Sequence, residues 1–348
     1  MGTHITELIP SKPIKIEDLQ GKTLAIDAHN MLYQFLTTIR QRDGTPLTDA
    51  QGNITSHLIG LFSRTCAFLE KGLRPVFIFD GEPPERKRKE IERRTQLKHE
   101  AALKLKEAIS AENLDQMAKY AGRTSKLTRA MAQEAKELLH ALGIPCIQAP
   151  GEGEAQAAEM VRRGEAYAVV SQDADSLLFG APRIIKNLNL AGKRKQAGTH
   201  IYHAITPELI TLTDTLNALG IDRNQLIALA MLVGTDYHPG GIKGLGPKKA
   251  LKLVLEHGSD LHALFSAVNW EHETQTDYKE IHQLFTHPAT TEDPIPPRTA
   301  INPEAITALL VQQHAFSQER VASAVDRLIK QGRQAQRGLA DFLHTHNS

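Results

Sequence analysis

The sequence predicts an α/β fold with a central, mainly parallel sheet flanked by helices. Three observations carry this. Short apolar runs rich in Val, Ile and Phe each end in a carboxylate. Helical patterns lie between them. At 348 residues the chain is long enough to bury a sizeable core. The runs are residues 23–27, 74–80 and 167–173, ending in Asp27, Asp80 and Asp173. Continuous apolar runs of this kind suit parallel strands covered on both faces. Residues 56–71 and 127–142 carry the helical spacing. Strand alternating with helix builds βαβ units, which bind ligands at the carboxyl edge of the sheet. Each run therefore carries its terminal Asp to that edge.

Composition excludes several classes. Hydrophobic residues are 41% and aromatics 5%, within the ordinary globular range. Net charge is +1, so overall charge does not by itself point to nucleic acid. The two cysteines, Cys66 and Cys146, form no CxxC pair, which supports neither a zinc site nor a disulfide framework. They read as partly buried thiols in a reducing compartment. No run approaches the ~18 apolar residues of a membrane span, and the most apolar stretch, 58–79, is broken by Arg64, Glu70, Lys71 and Arg74. No signal peptide opens the chain. Residues 1–6 fit a loose myristoylation pattern, but nothing polybasic follows directly.

Charge is local rather than global. Residues 85–105 carry Arg86, Lys87, Arg88, Lys89, Arg93, Arg94, Lys98 and Lys104. Most such runs are solvated amphipathic helices. This one starts just after Asp80, where a basic segment can guide phosphates. Residues 191–198 read as a basic hairpin tip. Residues 286–303, rich in Pro and Thr, read as a surface connection, and 304–330 return to helical spacing.

Seven acids form the central chemical signal: Asp27, Asp80, Glu152, Glu154, Asp173, Asp175 and Asp236. Glu152 and Glu154 lie in a Pro-Gly-Glu-Gly-Glu turn before a helix expected to start near Ala155. Asp175 follows Asp173 by two, and Asp236 follows the apolar run 226–233. Any one of them alone reads as a helix cap or solvated loop acid. Gathered at one sheet edge they repel unless cations sit between them. Hard oxygen donors suit Mg²⁺ or Mn²⁺, and no His/Cys set has zinc spacing. Two such ions about 3.5–4 Å apart clamp a phosphodiester, one activating water and the other stabilising the leaving oxygen.

A glycine-rich loop, 240–250, follows Asp236 and opens a helical pattern at 250–256. Glycines let backbone N–H groups approach phosphate, and the next helix N-terminus favours anions. Lys243, Lys248 and Lys249 add charge. The loop resembles elements that grip a DNA backbone without reading bases. No Walker A pattern occurs, so ATP hydrolysis is not indicated.

On these residues the chain strongly resembles the flap endonuclease family of structure-specific 5′ nucleases (the XPG/Rad2 type), particularly its archaeal members. The carrying segments are Ile26-Asp-Ala28 with Tyr33-Gln-Phe-Leu36, Thr55-Ser-His-Leu58, Phe79-Asp-Gly-Glu-Pro-Pro84, Ala149-Pro-Gly-Glu-Gly-Glu-Ala155, Ser171-Gln-Asp-Ala-Asp175, Val233-Gly-Thr-Asp-Tyr237 and the glycine-rich loop. The resemblance implies a PIN-like nuclease core with a helical gateway and cap and a helix–two-turn–helix. It implies cutting of 5′ flaps where single-stranded DNA meets duplex, and 5′–3′ exonuclease activity, in replication (Okazaki fragment maturation) and repair. It implies two Mg²⁺ held by the seven acids, with Mn²⁺ as a substitute. Lys87 and Arg94 match the family's catalytic lysine and arginine, which act on the scissile phosphate as electrostatic clamps.

The resemblance also places residues on DNA. Tyr33 matches a tyrosine under the terminal nucleotide, and Arg40 and Arg64 match arginines near the DNA. Gly2, Glu152, Gly234, Asp236, Lys243, Lys248 and Lys249 join this set, and K⁺ is expected at the helix–two-turn–helix. The organisation it implies is 1–98 as N-terminal nuclease region, 99–135 as helical cap, 136–258 as internal nuclease region, 259–330 as C-terminal helical region and 331–348 as tail. In the tail, Gln336, Leu339, Phe342 and Leu343 resemble the box that docks on the sliding clamp (PCNA). Leu343 stands where a second aromatic is usual. A monomer without membrane association is expected, inside a prokaryote-like, archaeal cell and on chromosomal DNA. The alternative is a catalytically inactive junction-binding protein that recruits the clamp. That reading predicts lost acids, and all seven are present. A third reading, a nuclease acting mainly on RNA, is separated by comparing matched DNA and RNA flaps.

Overall fold

The computed structural model describes residues 5–41, 43–111, 113–188, 193–195 and 202–346. It describes their side chains except for Lys89, Leu114, Ala118 and residues 193–195, 202–204 and 333–346. Nine strands are described: β1 Lys12–Pro13, β2 Thr23–Asp27, β3 Arg74–Phe79, β4 Cys146–Gln148, β5 Ala168–Val170, β6 Arg183–Lys186, β7 Lys193–Lys195, β8 Tyr202–Ala204 and β9 Glu208–Thr211. The α-helices are α1 Ala28–Thr38, α2 Ser56–Glu70, α3 Arg88–Ser110, α4 Leu114–Ala121, α5 Arg129–Ala141, α6 Gly153–Arg162, α7 Leu212–Leu219, α8 Arg223–Val233, α9 Pro247–His257, α10 Leu261–Ala267, α11 Trp270–Thr274, α12 Tyr278–Thr286, α13 Pro303–Thr307 and α14 Gln318–His346.

Seven strands form one sheet in the order β1-β9-β6-β5-β2-β3-β4. β5 sits between β2 and β6 and runs parallel to both, with Ile26 opposite Val170 and Val170 opposite Ile185. β9 turns back antiparallel on β6, and β1 closes that edge. The chain thus forms the expected α/β architecture, with an antiparallel margin. β2 and β5 are buried along almost their whole length, which is why their sequences are apolar rather than alternating. β7 and β8 pair antiparallel as a separate hairpin, with Lys195 opposite Tyr202. Most of the expected basic tip lies outside the described residues.

Two compact units are each assembled from three stretches: residues 1–30, 76–100 and 147–295, and residues 31–75, 101–146 and 296–348. The first unit holds the sheet core. Its apolar interior includes Ala25, Ile78, Val169, Ile184 and Ile210. Every residue of α8 from Gln225 to Val233 is buried, as a helix apolar on all sides requires. A capping box, Asp222 with Gln225, starts this helix. Trp270 is fully buried and packs edge-on against Phe265 and His238.

The second unit is helical. α2 packs against α5 and α14, and α13 packs against both α5 and α14. Gly60 allows the close approach of Phe35, since a Cβ there would overlap the ring. Two buried imidazoles each face a carboxylate within the unit. His314 Nδ1 lies 3.0 Å from Asp49, and His57 Nε2 lies 3.1 Å from Glu134.

Some local expectations are corrected. β5 ends at Val170, so Asp173 lies three residues beyond the strand rather than ending it. Gln172 and Asp173 leave the ladder because Ser171 Oγ takes the Asp173 N–H at 3.1 Å and forms a side-chain turn. α6 starts at Gly153, two residues before Ala155, so Glu152 is its N-cap and Glu154 lies in its first turn. The helical stretch 304–330 breaks into α13, a π-helical turn Ala308–Gln313 and α14, with Ala315 at positive φ between the last two. Residues 288–302 carry no regular structure, as their Pro and Thr content predicts. α14 continues to His346.

Candidate active site

Five elements of the first unit carry the acids. β2 ends in Asp27, and Asp80 follows β3 directly. Glu152 and Glu154 open α6. Asp173 and Asp175 lie in the turn after β5, with Asp175 starting a 3₁₀ turn. Asp236 follows α8. Parallel strands point their carboxyl ends the same way, so the acids converge.

Their electrostatics show the crowding. Burial pushes the Asp27 carboxyl up to about 7, and the charges of Asp80 and Asp173 add to this. The Asn30 N–H and Lys87 pull the other way. Burial, then Asp175, Asp27 and Asp173, raise Glu154 well above the carboxylate range. Like charges in a low-dielectric pocket cannot all ionise unaided.

Two cations from one helix stretch meet this cluster. Lys87 Nζ pairs with Glu152 and stands 3.1 Å from Asp236. Arg94 spans Asp236 and the buried Glu90, the latter at 2.6 Å. Burial opposes the Lys87 charge, but Glu152 and Asp236 outweigh it and raise its pKa. Lys87 and Arg94 lie seven residues apart, about two helical turns, so one face of the segment presents both. Of the remaining basic run, Arg93 binds Glu90 at 2.6 Å and Arg86 pairs with Glu280.

Uncharged groups tie the acids together. The Gly153 N–H donates to Asp80 at 2.7 Å, and the Asp80 N–H donates to His29 Nδ1 at 3.1 Å. Asn30 Nδ2 donates to Asp173 at 3.0 Å. Ser171 reaches Glu154 at 3.4 Å, and the Tyr237 hydroxyl donates to Glu152. Asn30, Ser171, His29 and Tyr237 were not singled out as site residues from sequence. One signal existed: Asn30 stands three positions after Asp27, the spacing of a helix cap and its N3 partner.

Among the described residues, no three His, Cys, Asp or Glu side chains close on one point as they stand. Lys87, Arg94 and the neutral ties already bind several of the acids. The donor chemistry nonetheless fits hard divalent cations: carboxylates only, crowded, and two of them pushed toward the neutral form.

The glycine-rich loop joins α8 to α9. Gly234, Gly240, Gly241 and Gly244 all have positive φ. At Gly241 a Cβ would strike the Leu232 and Val233 backbone, so only glycine fits. Gly246 caps α9, Pro247 takes its first position, and Lys243, Lys248 and Lys249 are exposed. Of the remaining expected DNA residues, Tyr33, Arg40 and Arg64 belong to the second unit. Tyr33 lies on α1. Arg40 donates to the Leu36 and Gly44 carbonyls and to Ser125, so its donors serve the local fold. The Arg64 guanidinium lies over the Phe35 ring at 5.6 Å. Gly2 lies outside the described residues, as do the side chains of Gln336, Leu339, Phe342 and Leu343.

This sheet with an acid edge defines a nuclease of the XPG class. The XPG N-terminal domain matches residues 4–101 and the XPG I-region residues 143–236. Flap endonuclease 1 of Pyrococcus horikoshii is 50% identical over 338 residues, covering 96% of this chain and 97% of its own. The solved flap endonuclease-1 of Methanococcus jannaschii superposes with a TM-score of 0.72 at 41% identity, over 94% of this chain and 98% of that one. The catalytic core of Rad2, solved in complex with DNA substrate, gives 0.65 at 25% identity over 91% and 96%. The chain belongs to the flap endonuclease family, and it is a nuclease. Among the described residues no helix is long and apolar enough to cross a membrane.

Proposed function

We propose that this protein is a structure-specific 5′ flap endonuclease and 5′–3′ exonuclease that hydrolyses phosphodiesters with two Mg²⁺, serving Okazaki fragment maturation and repair. The observation that carries the metal reading is the crowding of Asp27, Asp80, Glu154, Asp173 and Asp175 on each other's charge. These five, with Glu152 and Asp236, would hold the ions, and Mn²⁺ would substitute. Bound, the ions supply an activated water and a stabilised leaving oxygen.

The chain's own residues do the rest. Lys87 and Arg94 stand on the acids and hold positive charge for the scissile phosphate. The exposed Lys243, Lys248 and Lys249, with the open backbone at Gly244 and with Gly234, hold duplex phosphates, with K⁺ beside them. Tyr33 stacks the terminal nucleotide, and Arg40, Arg64 and Gly2 line the DNA path. Residues 99–135 act as the cap over a threaded 5′ end, between nuclease regions 1–98 and 136–258. Residues 259–330 form the C-terminal helical region. In the tail, Gln336, Leu339, Phe342 and Leu343 dock a monomer on the sliding clamp, on chromosomal DNA inside the cell.

The test is cleavage of a labelled double-flap DNA with Mg²⁺, against EDTA and Asp173→Ala. The expected result is a cut near the junction, lost with EDTA and in the variant, while junction binding survives. Binding without any cut in Mg²⁺ or Mn²⁺ would sink the enzyme mechanism and favour a junction-binding protein.

A further inference from the structure

We infer that Asn30 is a positioning residue that sets the separation of Asp27 and Asp173, and through it the affinity of the acid site for divalent cations. The inference rests on the metal reading above. Asn30 holds the two acids by two different groups. Its backbone N–H donates to Asp27 Oδ1 at 3.0 Å, because Asp27 is where β2 passes into α1 and Asn30 is the third helical residue. Its side-chain Nδ2 donates to Asp173 Oδ2, also at 3.0 Å.

Asp173 needs such a hold. β2 and β5 are in register at Ile26 and Val170, so the ladder fixes Asp27 but ends three residues short of Asp173. Asp173 is carried by a turn, whose own support is the 3.1 Å bond from its N–H to Ser171 Oγ. Ser171, itself buried, reaches on to Glu154 at 3.4 Å. Two neutral side chains, Asn30 and Ser171, therefore link Asp27, Asp173 and Glu154, Ser171 through the Asp173 backbone N–H.

The neutrality of these ties matters. A lysine in place of Asn30 would neutralise Asp173 and compete with an incoming cation, as Lys87 does at Glu152 and Asp236. An amide donor holds the carboxylate in place and leaves its charge available. Groups that orient a ligand in this way typically change metal affinity by about 10–100-fold when removed.

The two bonds can be separated. Asn30→Ala keeps the backbone bond that caps α1 and removes only the tie to Asp173. Asn30→Asp is the same size but turns the donor into a second acceptor facing Asp173, a repulsion that a cation would relieve. The experiment is Mn²⁺ binding to the full chain without DNA, by calorimetry, together with melting temperatures with and without Mn²⁺. Wild type should bind. Asn30→Ala should bind roughly tenfold more weakly. Asn30→Asp should show a larger Mn²⁺-induced rise in melting temperature than wild type. In cleavage assays Asn30→Ala should need more Mg²⁺ while its KM for DNA at saturating metal stays unchanged. A lower metal-free melting temperature with unaltered Mn²⁺ affinity in Asn30→Ala would overturn the inference and leave Asn30 a structural residue. If wild type itself binds no Mn²⁺, the metal reading falls first and this inference with it.

Discussion

The two units handle buried charge in opposite ways. In the second, Asp49 faces His314, and Glu134 faces His57 at 3.1 Å and His314 at 3.6 Å, so two carboxylates meet two imidazoles. In the first, seven carboxylates gather against Lys87 and Arg94 and several neutral donors. The second arrangement joins the three stretches of its unit, with His57 Nδ1 and His314 Nε2 buried without a hydrogen-bond partner among the described residues. The first carries more negative charge than its own cations match, which costs stability and is retained where an external cation is to be bound. Carboxylates matched one-to-one by imidazoles mark the structural cluster, and carboxylates that outnumber their partners mark the functional one.

The largest expected effect breaks the unbalanced side. Lys87→Met removes the ammonium but keeps much of the length, and flap cleavage should fall roughly 10²–10³-fold in kcat, on the scale of losing one preorganised electrostatic donor. Single-turnover kinetics on a double-flap substrate would show it, and a change under threefold would remove Lys87 from the chemistry. Next comes the balanced side. His314→Leu leaves Asp49, whose side chain is fully buried, without its imidazole. Denaturant unfolding should move to a lower midpoint with an unchanged slope. Cleavage at 25 °C should continue, and loss of activity in the folded variant would erase the distinction between the clusters.

A smaller effect tests packing without charge. Gly60→Ala forces a methyl into the Phe35 ring and should cost about 1–3 kcal/mol, with Phe35→Leu in the same chain recovering part. No recovery would place the strain elsewhere. The smallest effect concerns the thiols. Burial pushes both Cys66 and Cys146 up to about 12. The thiolate dominates only above that value, so alkylation of native protein at pH 8 should run roughly a thousandfold slower than for an ordinary exposed thiol, and rise tenfold per pH unit. Fast labelling at pH 8 would show that these segments open readily.

Legibility differed by element type. β2 is recoverable to the residue, since 23–27 is apolar on both faces and stops at an acid. α2 and α5 emerge within two residues of the spacing that predicts them. β5 was overextended because 171–173 continues an extended-looking run, and only the Ser171 turn ends the strand. The π-helical turn and the break at Ala315 are invisible to a periodicity that continues across them. The acids were legible as a set. Of their tethers, Asn30 is marked only by its cap spacing from Asp27, and Ser171 and Tyr237 are not marked at all, because a Ser or a Tyr carries no chemical signal until its partner is known.

The sequence by itself determined the α/β class, the identity of the acids, the glycine positions and the family, because each depends on local pattern: apolar period, residue type, and steric freedom at positive φ. Only the tertiary structure decided which cations face which acids, which neutral donors join them, and which buried charges are balanced. Asp27 and Asp173 are 146 residues apart, as numbered in the chain, and meet only because β2 and β5 are adjacent and parallel. Coulomb energy and hydrogen bonding act over a few ångströms of space and take no account of separation along the chain.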